Sequence, residues 1–285
     1  NLAFVAAAAL GGLCPQLLEH YRLKIFPNAC EKFFTNLIGE SIRLRRLVHM
    51  ERNDFMNQLL ELQKQHSLTD QQLVSHAMTF LIDGLDTSAA TIAHCLLLLA
   101  RNPDCQQQLL EELMSIDSSE LPTYEELNEM SYLNACFNES LRIYPPGLWA
   151  AKICTKEYTF EGCRQSTPLR MRPGDTVMIP IYGLHHDPEF YPEPSLFRPG
   201  RFLPENGGVK KYRNMGVFLG FGDGPRQCLG LRLALVQSKA AIAAIVKRFE
   251  VRANPRTKPG IRLDPSIFVA MHEGGVWLDF VPRYQ

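Results

Sequence analysis

From Pro27 to Met50 apolar residues recur at helical spacing, with Arg43, Arg45 and Arg46 near the end, and the pattern resumes from Asp54 to Gln65. Both segments read as amphipathic helices. Thr69-Asp-Gln-Gln72 has the form of a capping box, in which side chains satisfy the first free amides of a helix. The helix it opens runs from Asp70 to Arg101 without a proline and closes at Asn102-Pro103. At 1.5 Å per residue its length is roughly 48 Å. From Met78 onward it is apolar all round, as in a helix that crosses an interior. It nevertheless carries Asp83-Gly-Leu-Asp86-Thr87-Ser88, and charges at such a place need a reason.

Further helices are predicted from Asp104 to Met114, from Asn128 to Arg142 ahead of Tyr144-Pro145-Pro146, and from Gly230 to about Lys247. Short β-like runs fall at Lys152 to Phe160, Thr176 to Ile181 and Gly275 to Val281. Recurrent prolines from Asp187 to Phe202 point to an irregular meander. The expected class is mainly α with a minor β part. No Gly/Ser tract, proline-rich linker or charge block divides the chain, so residues 1–285 read as a single domain. Leu2 to Cys14 is almost wholly apolar before Pro15. It is too short to span a bilayer as a helix and lacks the basic flank of a signal peptide. A buried or surface-docked helix is expected there, with a membrane-dipping loop as the alternative, and no transmembrane segment.

Composition narrows the function. With 46% apolar residues in 285, the chain can bury a large core. Thirty basic and thirty acidic residues cancel, which removes the electrostatic footprint of a nucleic-acid binder. Eight cysteines at 14, 30, 95, 105, 136, 154, 163 and 228 form no C-x-x-C pair, a pattern that suits a reducing compartment. Neither they nor His185-His186 supply zinc-ligand spacing, so no zinc site is expected.

The stretch richest in chemistry is Phe221-Gly-Asp-Gly224-Pro-Arg226-Gln-Cys228-Leu-Gly230. Glycines at 222, 224 and 230 let backbone pass close to a flat ligand and permit positive φ in a tight loop. Cys228 stands where the loop enters a helix, whose dipole and free amides favour the thiolate that a metal ligand requires. Arg226 is positioned to pair with an anionic group. The bland reading is a buried cysteine in a glycine turn.

F-x-x-G-x-R-x-C-x-G is complete here, and it resembles the haem-ligand loop of the cytochrome P450 family, particularly its animal microsomal members. Three further segments resemble that family in the expected order: Gly84-Leu-Asp86-Thr87-Ser88, Glu139-Ser-Leu-Arg142, and the meander from His185-His-Asp187-Pro188 to Pro199-Gly-Arg201-Phe202. The resemblance implies a P450-like fold incomplete at the N-terminus, with Cys228 as axial ligand of haem b (iron protoporphyrin IX). It implies that Phe221, Gly222, Gly230 and Gly84 lie against the cofactor and that Arg226 and Lys152 meet its propionates. It further implies that Asp86 and Thr87 relay protons during dioxygen activation and that the thiolate pushes electron density onto the iron. Glu139 and Arg142, ordinarily a modest helix-surface pair, become a buried network completed by Arg201. That network is a folding site rather than a catalytic one.

The likeness runs from about Pro27 onward and is to the family's C-terminal part, without the early helices that supply much of the substrate pocket. Departures are Lys152 where an arginine is usual, Gly200 for a glutamate, Gly220 for a proline, which is expected to loosen the cysteine loop, and Asp83 for a small residue. Asp83 stands four residues before Thr87 and so shares its helix face. The expectation is a hydrogen-bonded carboxyl with raised pKa and non-covalent haem, against the alternative of an ester to a haem methyl. The function implied is a monooxygenase of the cytosolic face of the endoplasmic reticulum membrane. It would act on a small lipophilic substrate with NADPH-cytochrome P450 reductase and cytochrome b5 as partners. The alternatives are a non-catalytic haem-binding fragment and a thiolate-haem isomerase, the latter disfavoured by the intact Asp86-Thr87. Lys210, Lys211, Arg213, Arg232 and Lys239 are expected to form a basic docking face behind Cys228.

Overall fold

The computed structural model describes residues 27–48, 52–116, 122–161, 167–267 and 269–283. The apolar segment from Leu2 to Cys14 lies outside them. The chain forms two compact units, Asn1–Thr87 and Ser88–Gln285.

In the first unit, helix α1 (Asn28–Val48) buries Ile38 and Ile42, four residues apart on one face, while α2 (Phe55–His66) buries Leu59. Asp54 caps α2 by accepting the amide of Asn57 at 3.1 Å, and Arg45 grips the same carboxylate at 2.6 and 2.7 Å. One side chain therefore starts α2 and ties it to α1. The guanidinium holds Asp54 down at about 2. Leu73, Val74, Ala77 and Met78, from the start of α3 (Asp70–Arg101), complete this small core. The α3 capping box is made: the Gln72 amide donates to Thr69 Oγ1 at 3.2 Å and the Thr69 amide to Gln72 Oε1 at 2.8 Å.

The interior character of α3 holds from Ala90 to Leu99, where Cys95, Leu97 and Leu99 are wholly buried. It fails between residues 83 and 86, which are exposed, Leu85 by 69%. By length and composition α3 is also apolar enough to cross a membrane, although its later turns pack in the core of the second unit.

That unit continues with α4 (Pro103–Met114), α5 (Tyr124–Glu129) and α6 (Ser131–Ile143). The single helix expected from Asn128 to Arg142 is thus two. Thr123 and Glu126 form a capping box that starts α5 earlier, and Met130, extended at ψ 100, breaks the run. The β-like run from Lys152 to Phe160 likewise divides into β1 (Ala150–Ile153) and β2 (Tyr158–Phe160). β2 pairs with β3 (Leu169–Met171), a strand that the sequence pattern does not announce, and β1 with β4 (Thr176–Ile179), both antiparallel. Then come α7 (Ile181–His185), the meander with short 3-10 turns at Pro199–Phe202 and Pro204–Asn206, α8 (Gly208–Asn214) and α9 (Leu231–Arg248). β5 (Phe249–Ala253) pairs with β6 (Leu278–Pro282). The described residues are mainly helical with two-stranded sheets at the margin, the class expected.

Candidate functional site

Cys228 is exposed and its backbone is pinned. Its amide donates to the carbonyl of Phe221 at 2.9 Å and its carbonyl accepts from Leu231, the first residue of α9, at 3.4 Å. Gly222 and Gly224 adopt φ +70 and +71, so the loop turns back on itself where a side chain would be strained. A Cβ at Gly230 would lie 4.0 Å from the sulfur, and the glycine keeps that flank of the thiol clear. Beside it Leu229 is 86% exposed and Leu233 half exposed. An exposed thiol flanked by exposed leucines suits an apolar, flat partner rather than water.

Behind the loop stands a buried ion network. Arg142 forks onto Glu139, with Nε to Oε2 and Nη2 to Oε1 both at 2.8 Å, and both side chains are wholly buried. Arg201 reaches Glu139 Oε1 at 3.3 Å, and the backbone amide of Arg198 donates to the same oxygen at 2.9 Å. Remaining donors of Arg142 go to the carbonyls of His185 (2.9 Å) and Leu196 (3.3 Å), and its guanidinium lies over the ring of Tyr191. Arg201 Nη2 takes the carbonyls of Pro192 and Glu193. Almost every polar atom is satisfied, the condition under which buried charges are tolerated.

His185 is the residue whose role sequence reasoning misses, because the sequence marks it only as the start of a motif. Wholly buried and stacked on Phe218, its Nε2 accepts the amide of Leu219 at 2.8 Å, two residues ahead of the cysteine loop. Burial pushes its pKa down to about 3, so the ring stays neutral and can accept. Packing at Gly220 is close rather than loose, since a Cβ there would lie 3.1 Å from the Phe218 ring.

Arg226 and Lys152 are exposed, on the 3-10 turn Gly224–Arg226 and on β1. Asp83, Gly84, Asp86 and Thr87 belong to the first unit. Thr87 Oγ1 donates to the Asp83 carbonyl, four residues back, at 2.6 Å. The Asp83 side chain is on the exposed stretch, yet partial desolvation holds its carboxyl above the ordinary value. Lys239, expected at the docking face, is instead buried. Its ammonium donates to the Leu127 carbonyl at 2.8 Å and to Asn134 Oδ1 at 2.9 Å, because its helix face turns to α5 and α6.

Among the described residues no three His, Cys, Asp or Glu side chains gather as a metal cage. Iron held through Cys228 would draw its other donors from the group that carries it, and a porphyrin is a group of that kind. The residues present fit that group.

The family model for cytochrome P450 matches residues 15–278. The chain belongs to the cytochrome P450 family. It is 56% identical to probable cytochrome P450 28c1 of Drosophila melanogaster over 284 residues, 99% of this chain and 56% of that protein. Probable cytochromes P450 28d1 and 28d2 of the same organism are 42% and 38% identical, covering 99% and 98% of the chain. The chain spans about half the length of these curated relatives. As a family, cytochromes P450 are haem-thiolate monooxygenases, and the mainly helical architecture is the one expected of a member.

Proposed function

We propose that the protein is a haem-thiolate monooxygenase that inserts one atom of dioxygen into a small lipophilic substrate. The observation that carries this reading is Cys228, exposed at the head of α9 in a complete F-x-x-G-x-R-x-C-x-G loop. When bound, haem b supplies the redox-active iron at which dioxygen is reduced. The chain's own residues do the rest. Cys228 would hold the iron through its sulfur, which stands exposed at the head of α9. Phe221, Gly222 and Gly230 would give the ring close passage; Gly84 of α3 is assigned to the cofactor by the family resemblance alone. Arg226 and Lys152 would take the propionates. Lys152 does so as a point charge without the fork of an arginine. In the first unit Thr87, whose hydroxyl donates to the Asp83 carbonyl, and Asp86 are the residues to which the family resemblance gives proton relay, and the Asp83 carboxyl beside them has a raised pKa.

Electrons reach the site from NADPH through NADPH-cytochrome P450 reductase or cytochrome b5. These dock on Lys210, Lys211, Arg213 and Arg232, in the setting of the cytosolic face of the endoplasmic reticulum membrane. A second reading is a haem-binding unit without turnover of its own. Two measurements separate these readings. Reduced protein with carbon monoxide should give the strongly red-shifted Soret band of thiolate ligation, and Cys228→Ser should lose it. A mutant that keeps the band sinks the ligand assignment. Reductase, NADPH and a panel of lipophilic compounds should then yield hydroxylated product, and haem loading without product supports the second reading.

A further inference from the structure

Two adjoining hollows lie behind the cysteine loop, entirely within the second unit. The inner one, about 170 Å³, is walled mainly by Phe218, Phe221, Leu231 and Leu235, with Asn134 and Asn138 on one side. The outer one, about 310 Å³, is walled by Lys210, Asn214 and Asp223. Val209 and Arg213 line both, so the hollows meet at one aliphatic and one cationic side chain. The result is an apolar inner compartment with a basic mouth.

Size and charge together select a ligand class. An apolar cavity of about 150 Å³ accepts benzene, so the inner compartment takes one phenyl group. At the mouth, among the described residues, Arg213 pairs with Asp223 at 3.5 Å, the arginine partly and the aspartate well exposed. Such a pair is weak and yields to a better-placed carboxylate. Lys210 has no carboxylate within ion-pairing distance among the described residues, and it supplies a second cation.

We propose that this compartment is a binding site for a short aryl carboxylate, with its ring against Phe218 and Leu235 and its carboxylate on Arg213 and Lys210. The floor of the site is Phe221, whose carbonyl holds the Cys228 amide at 2.9 Å. A ligand pressing on Phe221 therefore acts on the peptide that fixes the thiol, and the site is an effector site for the ligand loop. Neither the binding nor its effect on the thiol depends on the proposed monooxygenase activity.

The test uses 3-phenylpropionate and the full chain, with and without haem. Titration calorimetry should give one site with a dissociation constant on the order of 1 mM, as befits a ligand of this size. Arg213→Gln should weaken binding roughly ten- to hundredfold by removing a charge-assisted bond. Asp223→Asn, which removes the competing carboxylate, should tighten it, and 3-phenylpropionamide should bind far more weakly than the acid. Val209→Phe should block the passage between the hollows and abolish binding. In haem-free protein, saturating ligand should change the alkylation rate of Cys228, read by peptide mass spectrometry. Absence of saturable binding overturns the site, as does binding that ignores Arg213→Gln, Asp223→Asn and Val209→Phe alike. Binding that leaves the Cys228 rate unchanged overturns the effector role.

Discussion

Arg142 shows how far a residue's chemistry depends on its shape. Its guanidinium makes a two-point fork to Glu139 and still reaches two backbone carbonyls. A lysine keeps the charge but cannot hold four acceptors in one plane. Arg142→Lys should therefore cost about 1–3 kcal/mol, the scale of leaving buried acceptors unsatisfied while the charge pair is kept. Urea denaturation is the measurement. Arg201→Lys should cost less, since Arg201 makes one longer bond to Glu139 and is partly open to solvent. An Arg142→Lys protein as stable as the wild type would show that the fork is dispensable. The E-x-x-R spacing was legible in the sequence, but spacing alone describes an exposed helix pair equally well. Burial is set by the meander, through the Arg198 amide and the His185 carbonyl, and those contacts lie 59 and 43 residues away.

At the scale of elements, α9 carries a buried ammonium that no carboxylate among the described residues neutralises. Lys239 is held by the Leu127 carbonyl and by Asn134 and Asn128, which strap α9 to α5 and α6. Lys239→Met should leave those acceptors unsatisfied and destabilise the second unit by about 1–3 kcal/mol. Burial also lowers the lysine's pKa below its unfolded value. Between the two values the unfolded chain binds the extra proton, so stability rises as pH climbs through the folded pKa toward that of a free lysine. Denaturation at rising alkaline pH should show this gain in the wild type and not in Lys239→Met. Elements marked by strong local signals were readable, as the capping box of Thr69 and Gln72 and the Asn102-Pro103 stop show. Those set by tertiary pairing were not. β3 exists because Leu169 and Met171 find Phe160 and Tyr158 across a hairpin. The face of α9 that buries Lys239 is chosen by α5 and α6, and a lysine in sequence reads as surface.

For the second unit as a whole, acid sensitivity is concentrated in histidine. His94 and His185 are wholly buried, and desolvation holds each at about 3. Their folded values lie below the unfolded value of about 6.5. Stability is thus fully present above that value and falls as pH drops toward 3, at about 1.4 kcal/mol per pH unit for each histidine. His94→Phe retains the stack on Tyr144, where the rings lie 4.3 Å apart. It should remove one proton from the slope. Denaturation at several acidic pH values decides this, and an unchanged slope would reassign the protonation elsewhere. The motifs of the candidate site and their order can be read directly from the sequence. The boundary between the two compact units, at Thr87 and Ser88, falls inside a continuous helix with no break in composition to mark it.

The spacing of the ion network also sets a timetable for biosynthesis. Glu139 precedes Arg201 by 62 residues. At about 5–20 residues per second, its third partner emerges roughly 3–12 s later. During that interval α6 holds two charges that cannot yet be covered, and the apolar side chains around them have no completed core to enter. The nascent chain passes through a window in which chaperone capture competes with docking of the meander, and the closing event is the arrival of one arginine.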